Sequence, residues 1–139
     1  MSRRVQDWPL RLAHFIVKRE RVAFAWGSQD CCLFTCDAVR EMTGVDMAAD
    51  FRGTYTTAIQ AARVLKAHGG VERIAERETE RAGFGEVFRT LAGRGDMAMT
   101  ETRHGPALGV CLGRVCAFPG KSGLQFVPTL NCSRFWRIA

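Results

Sequence analysis

Apolar residues recur at helical spacing in three segments of the first half of the chain. Each segment is closed by basic residues or by glycine, which are typical of helix ends. The spacing predicts helices over residues 7–21, 30–43 and 57–68, and a shorter fourth helix over residues 71–77. Residues able to accept a hydrogen bond from the first turn stand before them: Asp7, Ser28 or Asp30, and Thr56 or Thr57.

From residue 95 the pattern changes to short, strand-like segments separated by turn residues. Gly113 and Arg114 fit a two-residue hairpin loop, which places Cys111 opposite Cys116 across an antiparallel pair. Helices first and antiparallel strands afterwards are typical of an α+β domain, with N-terminal helices packed on a C-terminal antiparallel sheet. Strands are predicted over residues 96–100, 108–112, 115–118, 124–127 and 135–138.

The chain has 139 residues, of which 47% are apolar and 24% are charged. This composition is ordinary for a globular protein, and the length suffices for one well-packed domain over residues 1–139. No apolar run approaches the ~18 residues of a membrane span. The charged N-terminus also lacks the apolar core of a signal peptide. We therefore expect a protein that folds in a cytoplasm and has no membrane span.

The net charge of +6 makes nucleic acid a partner to consider. Apart from residues 18–21, however, the basic residues are scattered and interrupted by acids, without interleaved aromatic residues. A nucleic-acid-binding surface needs such clustering. The pattern favours solvated charges, or contact with an acidic surface, over nucleic-acid binding.

Six cysteines in a chain without a signal peptide favour free thiols, metal ligands or catalysis over a disulfide framework. No C-x-x-C pair is present, which argues against a zinc ribbon, and we expect no metal or cofactor. One alternative stays open. Cys111 and Cys116 could face the helix that carries Cys31, Cys32 and Cys36, so that thiolates from both elements hold a metal or an iron–sulfur cluster.

Cys31 is the candidate nucleophile. It falls in the first turn of the predicted second helix, where free backbone N–H groups and the helix dipole favour a thiolate. Burial offers a different interpretation, because cysteine is among the most buried residue types and three cysteines within six positions can line a core helix. Local chemistry alone leaves both interpretations open.

Asp30-Cys31 at a helix start, the Gly95-Asp96 pair and residues 107–113 resemble the NlpC/P60 group of papain-like cysteine hydrolases. A closer resemblance is to small phage proteins related to that group, found among tail-assembly and tail-tip genes. The resemblance implies a papain-like fold, with Cys31 at the N-terminus of a core helix packed on the sheet. It covers nearly the full chain and rests on residues 24–27, 30–31, 37–39, 42–44, 51–55, 95–96, 107–110 and 136–137.

Two departures from the hydrolase pattern concern the catalytic base. The histidine of the NlpC/P60 group opens a strand written His-x-Gly-x-x-x-Gly, and the aligned residue here is Ala107. The polar residue that orients this histidine has no counterpart in residues 115–118. A cysteine hydrolase needs a base to hold the thiolate and to protonate the leaving group. His104, three residues upstream, is the candidate replacement, with Asp30 in a supporting role that positions the turn.

The resemblance and these departures together imply a phage tail-tip or tail-assembly structural protein that lacks a complete Cys–His site. Such a protein is assembled in the host cytoplasm, resides in the virion tail and contacts other tail-tip or hub proteins. The alternative is an active cysteine peptidase or amidase that acts on bacterial peptidoglycan during DNA entry, with Cys31 as nucleophile and His104 as base. Candidate partner anchors, unless they fill the core, are Trp8, Phe51, Tyr55 and Trp136.

Overall fold

A computed structural model describes residues 3–139. Within them, no helix is both long and apolar enough to cross a membrane. Four helices are followed by a six-stranded sheet, which confirms the predicted α+β layout. The helices are α1 (Trp8–Arg19), α2 (Cys31–Thr43), α3 (Ala58–Ala67) and α4 (Val71–Ala82). The strands are β1 (Glu86–Val87), β2 (Met97–Thr102), β3 (Gly105–Cys111), β4 (Val115–Gly120), β5 (Gly123–Pro128) and β6 (Arg134–Trp136).

The sheet is antiparallel throughout, with the strand order β1-β6-β2-β3-β4-β5. The β3–β4 hairpin turns at Gly113, whose φ of 119° favours glycine. Cys111 lies opposite Cys116, as predicted, and Val110 lies opposite Ala117. Pairing between β3 and β4 stops there, whereas β4 pairs with β5 along its whole length. The first part of β3 therefore has no paired residues on β4 and pairs only with β2.

The sheet separates two apolar clusters. On one face α2 packs against side chains of β2 and β3, including Met99, Leu108 and Val110. The other face carries Phe118, Phe135 and three cysteines. α2 is the central helix, because eight of its 13 residues are buried. Each large side chain buried there contributes about 1.5–3 kcal/mol, and together they hold the N-terminus of α2 against β3.

The residues that begin and end the helices are mostly those expected. Asp30 caps α2, Thr57 caps α3 by accepting from the Gln60 N–H at 3.2 Å, and Gly44 ends α2 with a left-handed backbone. The prediction that Asp7 caps α1 is wrong. Its backbone (φ −94°, ψ 23°) is not extended, and its carboxylate binds Arg11 at 2.8 Å instead of the helix N–H groups.

Several boundaries differ from the prediction. α4 continues to Ala82, beyond residue 77, because the buried Thr79 extends the packed face of the helix by a turn, and the helix ends at Gly83 with a left-handed backbone. β3 begins at Gly105 rather than at residue 108, because β2 runs to Thr102 and pairs directly with it. β1 and two single-turn 3₁₀ helices, η1 (Arg89–Leu91) and η2 (Thr129–Asn131), were not predicted, since such short elements carry no periodicity.

The aromatic anchors are mostly buried. Phe51, Tyr55 and Trp136 are 3–4% exposed and belong to the cluster around α2. The prediction that Phe51 and Tyr55 are exposed partner anchors is therefore wrong, whereas the alternative that Trp136 fills the core is confirmed. Trp8 is half-buried beneath the Arg4 guanidinium, which lies 4.3 Å from the ring centroid. These side chains therefore stabilise the fold.

Candidate functional site

The Asp30 carboxylate organises the turn before α2. It is 2% exposed, and its Oδ1 accepts from the Leu33 N–H at 3.0 Å. Its Oδ2 accepts from the Gly27 N–H at 2.9 Å and from the Tyr55 hydroxyl at 3.0 Å. Burial and the neighbouring carboxylate raise the pKa of Tyr55 well above its usual value, so this hydroxyl stays a donor. Asp30 thus fixes the turn, the helix start and the segment around Tyr55 together.

Gly27 is required in that turn. Its φ is 87°, and a Cβ added there would lie 2.4 Å from the Tyr55 backbone oxygen. A larger residue would push the two segments apart and strain the backbone. Close packing therefore accounts for Gly27, one of the residues on which the family resemblance rests.

Cys31 is the first residue of α2 and is half-buried. The backbone N–H of Leu108 on β3 is among the groups that lower the pKa of its thiol. If the register that joins Val110 to Ala117 continued, Leu108 would lie opposite Pro119, which has no N–H to donate. The pairing between β3 and β4 therefore ends before Leu108.

Electrostatics single out Cys31 among the thiols of α2. A hydrogen bond from the Cys32 thiol lowers the pKa of Cys31, burial and the Asp30 carboxylate oppose the shift, and the Leu108 N–H supports it. The same thiol–thiol bond, together with burial, raises the pKa of Cys32, and burial raises the pKa of Cys36. Cys31 therefore ionises first, while Cys32 and Cys36 are protonated packing residues at neutral pH.

Ala107 occupies the position that the family resemblance aligns with the histidine of the NlpC/P60 group. It packs against the cluster on the far face of the sheet, whereas its neighbour Leu108 belongs to the cluster around α2, where Cys31 lies. The methyl group therefore points away from Cys31, and a methyl group can neither accept nor donate a proton.

His104 lies apart from Cys31. It occupies the exposed turn between β2 and β3, three residues and about 10 Å along the strand from Ala107. Its backbone N–H donates to Thr102 Oγ1 at 3.1 Å, and its imidazole has no hydrogen-bond partner within residues 3–139. The structure thus brings Asp30 and Cys31 together and leaves His104 at the hairpin tip.

The other two histidines also serve elsewhere. His14 is exposed on α1. His68 ends α3, packs edge-on against Phe51 at 4.8 Å between ring centroids, and accepts at Nδ1 from the Arg77 guanidinium at 2.9 Å. In the part of the chain that the structure describes, no histidine contacts Cys31.

A chain of charged side chains behind α2 was missed by the sequence analysis. Arg19 donates to Gln29 Oε1 at 2.7 Å and to Asp37 at 2.8 Å, and Arg52 bridges Asp37 at 2.7 Å to Asp46 at 2.9 Å. The Gln29 amide is 2% exposed, and its Nε2 has no partner among the described residues. This network connects α1, α2 and the segment around Arg52. Asp37 and Arg52 lie in two of the segments on which the family resemblance rests, 37–39 and 51–55. Only the fold shows that these two segments are in contact.

The remaining cysteines form a separate cluster. Cys111, Cys116 and Cys132 are fully buried on the sheet face away from α2, where the Thr129 hydroxyl lies 3.9 Å and 3.6 Å from the first two sulfurs. The alternative in which Cys111 and Cys116 face Cys31 is therefore wrong, because odd-numbered positions of β3 point to the other face. Across residues 3–139, no group of three or more potential ligands is arranged to hold a metal ion.

Comparisons with known proteins address the family of the chain. A search of curated proteins finds no match. A protein-family model described as "Domain of unknown function (DUF6950)" matches residues 3–138, which includes every element of the site around Cys31. Since the match spans nearly the full length, the chain belongs to the DUF6950 family.

Proposed function

We propose that this protein is a structural or assembly component of a phage tail tip, built on a degenerate NlpC/P60-like fold that has lost its catalytic base. It would be assembled in the host cytoplasm and act in the virion tail through contacts with other tail-tip or hub proteins. The relationship to NlpC/P60 proteins is supported by a core helix that starts with a cysteine and packs on an antiparallel sheet.

One observation supports the loss of hydrolysis: among residues 3–139 no histidine contacts Cys31, since the aligned position holds Ala107 and the candidate replacement His104 lies at an exposed hairpin tip. Acid–base assistance by a positioned side chain typically contributes about 10²–10⁴-fold to a rate. Without it, a thiolate can attack a peptide bond but the leaving amine has no proton source.

The retained features have structural explanations. Asp30 accepts three hydrogen bonds that hold the turn, α2 and Tyr55. Cys32 and Cys36 fill the core beneath α2. A domain that keeps these residues without the base is a scaffold, which is the role expected of an assembly protein.

A phage that encodes this chain provides the test. Deletion of the chain should give particles with missing or defective tail tips in electron micrographs. The Cys31→Ser variant should assemble normal tails and retain infectivity, because a serine fits the half-buried site. The structural role is refuted if the deletion leaves tails intact. Normal particles of the Cys31→Ser phage that cannot infect would instead show that the thiol has chemistry to perform.

The second candidate function is a cysteine peptidase or amidase acting on bacterial peptidoglycan. The observation that favours it is the half-buried Cys31 thiol with its lowered pKa at the start of α2. Purified protein should then release peptide fragments from peptidoglycan, and both Cys31→Ser and His104→Ala should abolish the release. We expect no release from any of the three proteins.

A further inference from the structure

Three buried thiols lie together on the sheet face away from α2. Cys111, Cys116 and Cys132 are fully buried in one cluster, and the Thr129 hydroxyl lies 3.9 Å from the first sulfur and 3.6 Å from the second. The Cys132 sulfur lies 3.7 Å from Pro128 O, and these two residues flank η2. The candidate site around α2 is on the other face of the sheet, so these thiols are not part of it.

Cys111 and Cys116 are opposed in the way that a disulfide requires. They are partners in the register of β3 and β4, and opposite residues of an antiparallel pair project from the same face. The Cys111 N–H donates to Asp96 O at 2.8 Å, towards β2, whereas the next pair is joined to β4 by the Leu112 N–H and Val115 O at 2.8 Å. The two cysteines are therefore a non-hydrogen-bonded pair, whose Cα atoms lie about 4.5 Å apart. Disulfides join Cα atoms about 4.4–6.8 Å apart, so the bond can form with little movement of the backbone.

The pair also lies at the joint between two parts of the sheet. β1, β6, β2 and β3 follow one another on one side, and β4 pairs along its length with β5 on the other. Among residues 3–139, two residue pairs join β3 to β4: Val110 with Ala117, and Cys111 with Cys116. A covalent bond in the second pair would fix this joint.

We propose that Cys111 and Cys116 are a site of disulfide formation, which a peroxide converts from two thiols into a cross-strand bond. The sulfur of one cysteine attacks an oxygen of hydrogen peroxide, the O–O bond breaks, and a sulfenic acid and one water molecule form. The second sulfur attacks the sulfenic sulfur, the S–S bond forms, and the S–O bond breaks with release of a second water molecule. The two thiols lose two electrons, the peroxide gains them, and both thiol protons end in water.

The third thiol favours the same product. The neighbouring Cys116 thiol, together with burial, raises the pKa of Cys111, whereas the same Cys116 thiol lowers the pKa of Cys132. In thiol–disulfide exchange, the thiol of lower pKa is the better leaving group. If Cys132 bonds first to Cys116, Cys111 therefore displaces it. The cross-strand disulfide is the end product, and Cys132 stays a free thiol.

The fold restricts the oxidant to a small molecule. All three sulfurs are fully buried, and Thr129 of the single-turn η2 lies against two of them, so access depends on local opening of this turn. Thiols stay reduced in a cytoplasm, whereas disulfides persist outside the cell. The time of oxidation rests on the proposed tail-tip role, under which the bond forms after the particle is released.

Peptide mapping of the Cys31→Ser protein tests this site, since the change removes the half-buried thiol that peroxide reaches first. Trypsin cleaves after Arg114 and Lys121, so the three cysteines fall in separate peptides, 104–114, 115–121 and 122–134. The protein is treated with hydrogen peroxide, unfolded in urea and alkylated with iodoacetamide. Peptide 104–114 should then be joined to peptide 115–121, and Cys132 should be alkylated. Dithiothreitol should separate the joined peptides.

Two variants of the cluster provide a matched comparison in the same Cys31→Ser background. The oxidised protein should unfold at a higher urea concentration than the reduced protein, because the bond constrains the unfolded chain. Cys132→Ser should keep this shift and Cys116→Ser should lose it, although both replace a fully buried thiol of one cluster.

The site is refuted if Cys111 and Cys116 are still alkylated after peroxide treatment, or if peptide 115–121 is joined to peptide 122–134 instead. The peptide map needs no change within the cluster, so it decides the question even if one of the two variants does not fold. A negative map leaves the proposed tail-tip role to its own phage test. A disulfide found in the purified protein and absent from released particles would refute the time of oxidation alone.

Discussion

Removal of the Asp30 carboxylate should be the most destabilising single change near the candidate site. Asp30→Ala deletes the cap of α2, which is typically worth about 1 kcal/mol. It also leaves the buried Tyr55 hydroxyl and the Gly27 N–H without their acceptor, at about 1–3 kcal/mol for each unpaired group. Since the Gly27 N–H is only partly buried, we expect a loss of about 3–5 kcal/mol in the free energy of unfolding. That is a large share of the ~5–15 kcal/mol typical of a domain.

Urea unfolding followed by tryptophan fluorescence measures this loss, because Trp26 packs against Tyr55 at 6.5 Å between ring centroids. Asp30→Asn keeps one oxygen acceptor and should lose about half as much. Tyr55→Phe removes one bond and should cost about 1–2 kcal/mol. The double variant Asp30→Ala/Tyr55→Phe should cost less than the sum of its parts, because no orphaned hydroxyl remains.

Asp7→Ala is the matched control for Asp30→Ala. Asp7 holds the same position before α1, but its exposed carboxylate makes no capping bond, so its removal should leave the free energy of unfolding nearly unchanged. Two results would contradict this account of Asp30. One is a loss of less than about 1 kcal/mol in the free energy of unfolding for Asp30→Ala. The other is a double variant Asp30→Ala/Tyr55→Phe whose loss equals the sum of the two single losses.

Four further outcomes follow from the structure. Iodoacetamide should modify Cys31 in the native protein before any other cysteine, with a rate-against-pH curve that His104→Ala leaves unchanged; a shifted curve would reveal a Cys–His pair. Ala107→His should leave the Cys31 alkylation rate near pH 6 unchanged, because the side chain at this position faces the far side of the sheet; a several-fold rise would show that an imidazole there reaches the thiol and stabilises the thiolate. Cys111, Cys116 and Cys132 should resist alkylation until the protein is unfolded in urea, and their modification in the native state would contradict their burial. Arg52 lowers the pKa of Asp46, so the ionised carboxylate stabilises the fold above its unfolded pKa of about 4. This contribution is lost as the pH falls from that value towards the lower folded pKa. In urea titrations at acid pH, Asp46→Asn should therefore show a smaller decline in the free energy of unfolding than the wild type.

The sequence predicted the helices well because each has its own periodicity and end signals. The Asp30 cap, the Gly44 stop and the Cys111–Cys116 pairing follow from local rules of turns and helix ends. The last turn of α4 was not predicted because its buried residue is Thr79, a polar residue that does not contribute to a hydrophobic pattern. The start of β3 was missed because Gly105 and Pro106 resemble loop residues, although β2 imposes the pairing.

The candidate site was predictable only in part. Cys31 and Asp30 are neighbours in sequence, so their association at the start of α2 needed no tertiary information. The contact between Cys31 and the Leu108 N–H depends on β4 leaving β3, and the link between Asp37 and Arg52 depends on a loop folding back to α2. Such contacts join segments that no local pattern connects.

The three hydrogen bonds at Asp30 have a consequence for reading related genomes. They give the aspartate a folding role that does not depend on any chemistry at the adjacent thiol. An Asp-Cys pair in a relative is therefore a marker of architecture and does not by itself mark an enzyme. Under the proposed relationship to NlpC/P60 hydrolases, the residue aligned with Ala107 would be the informative one, because a histidine there would mark a relative that keeps a catalytic base.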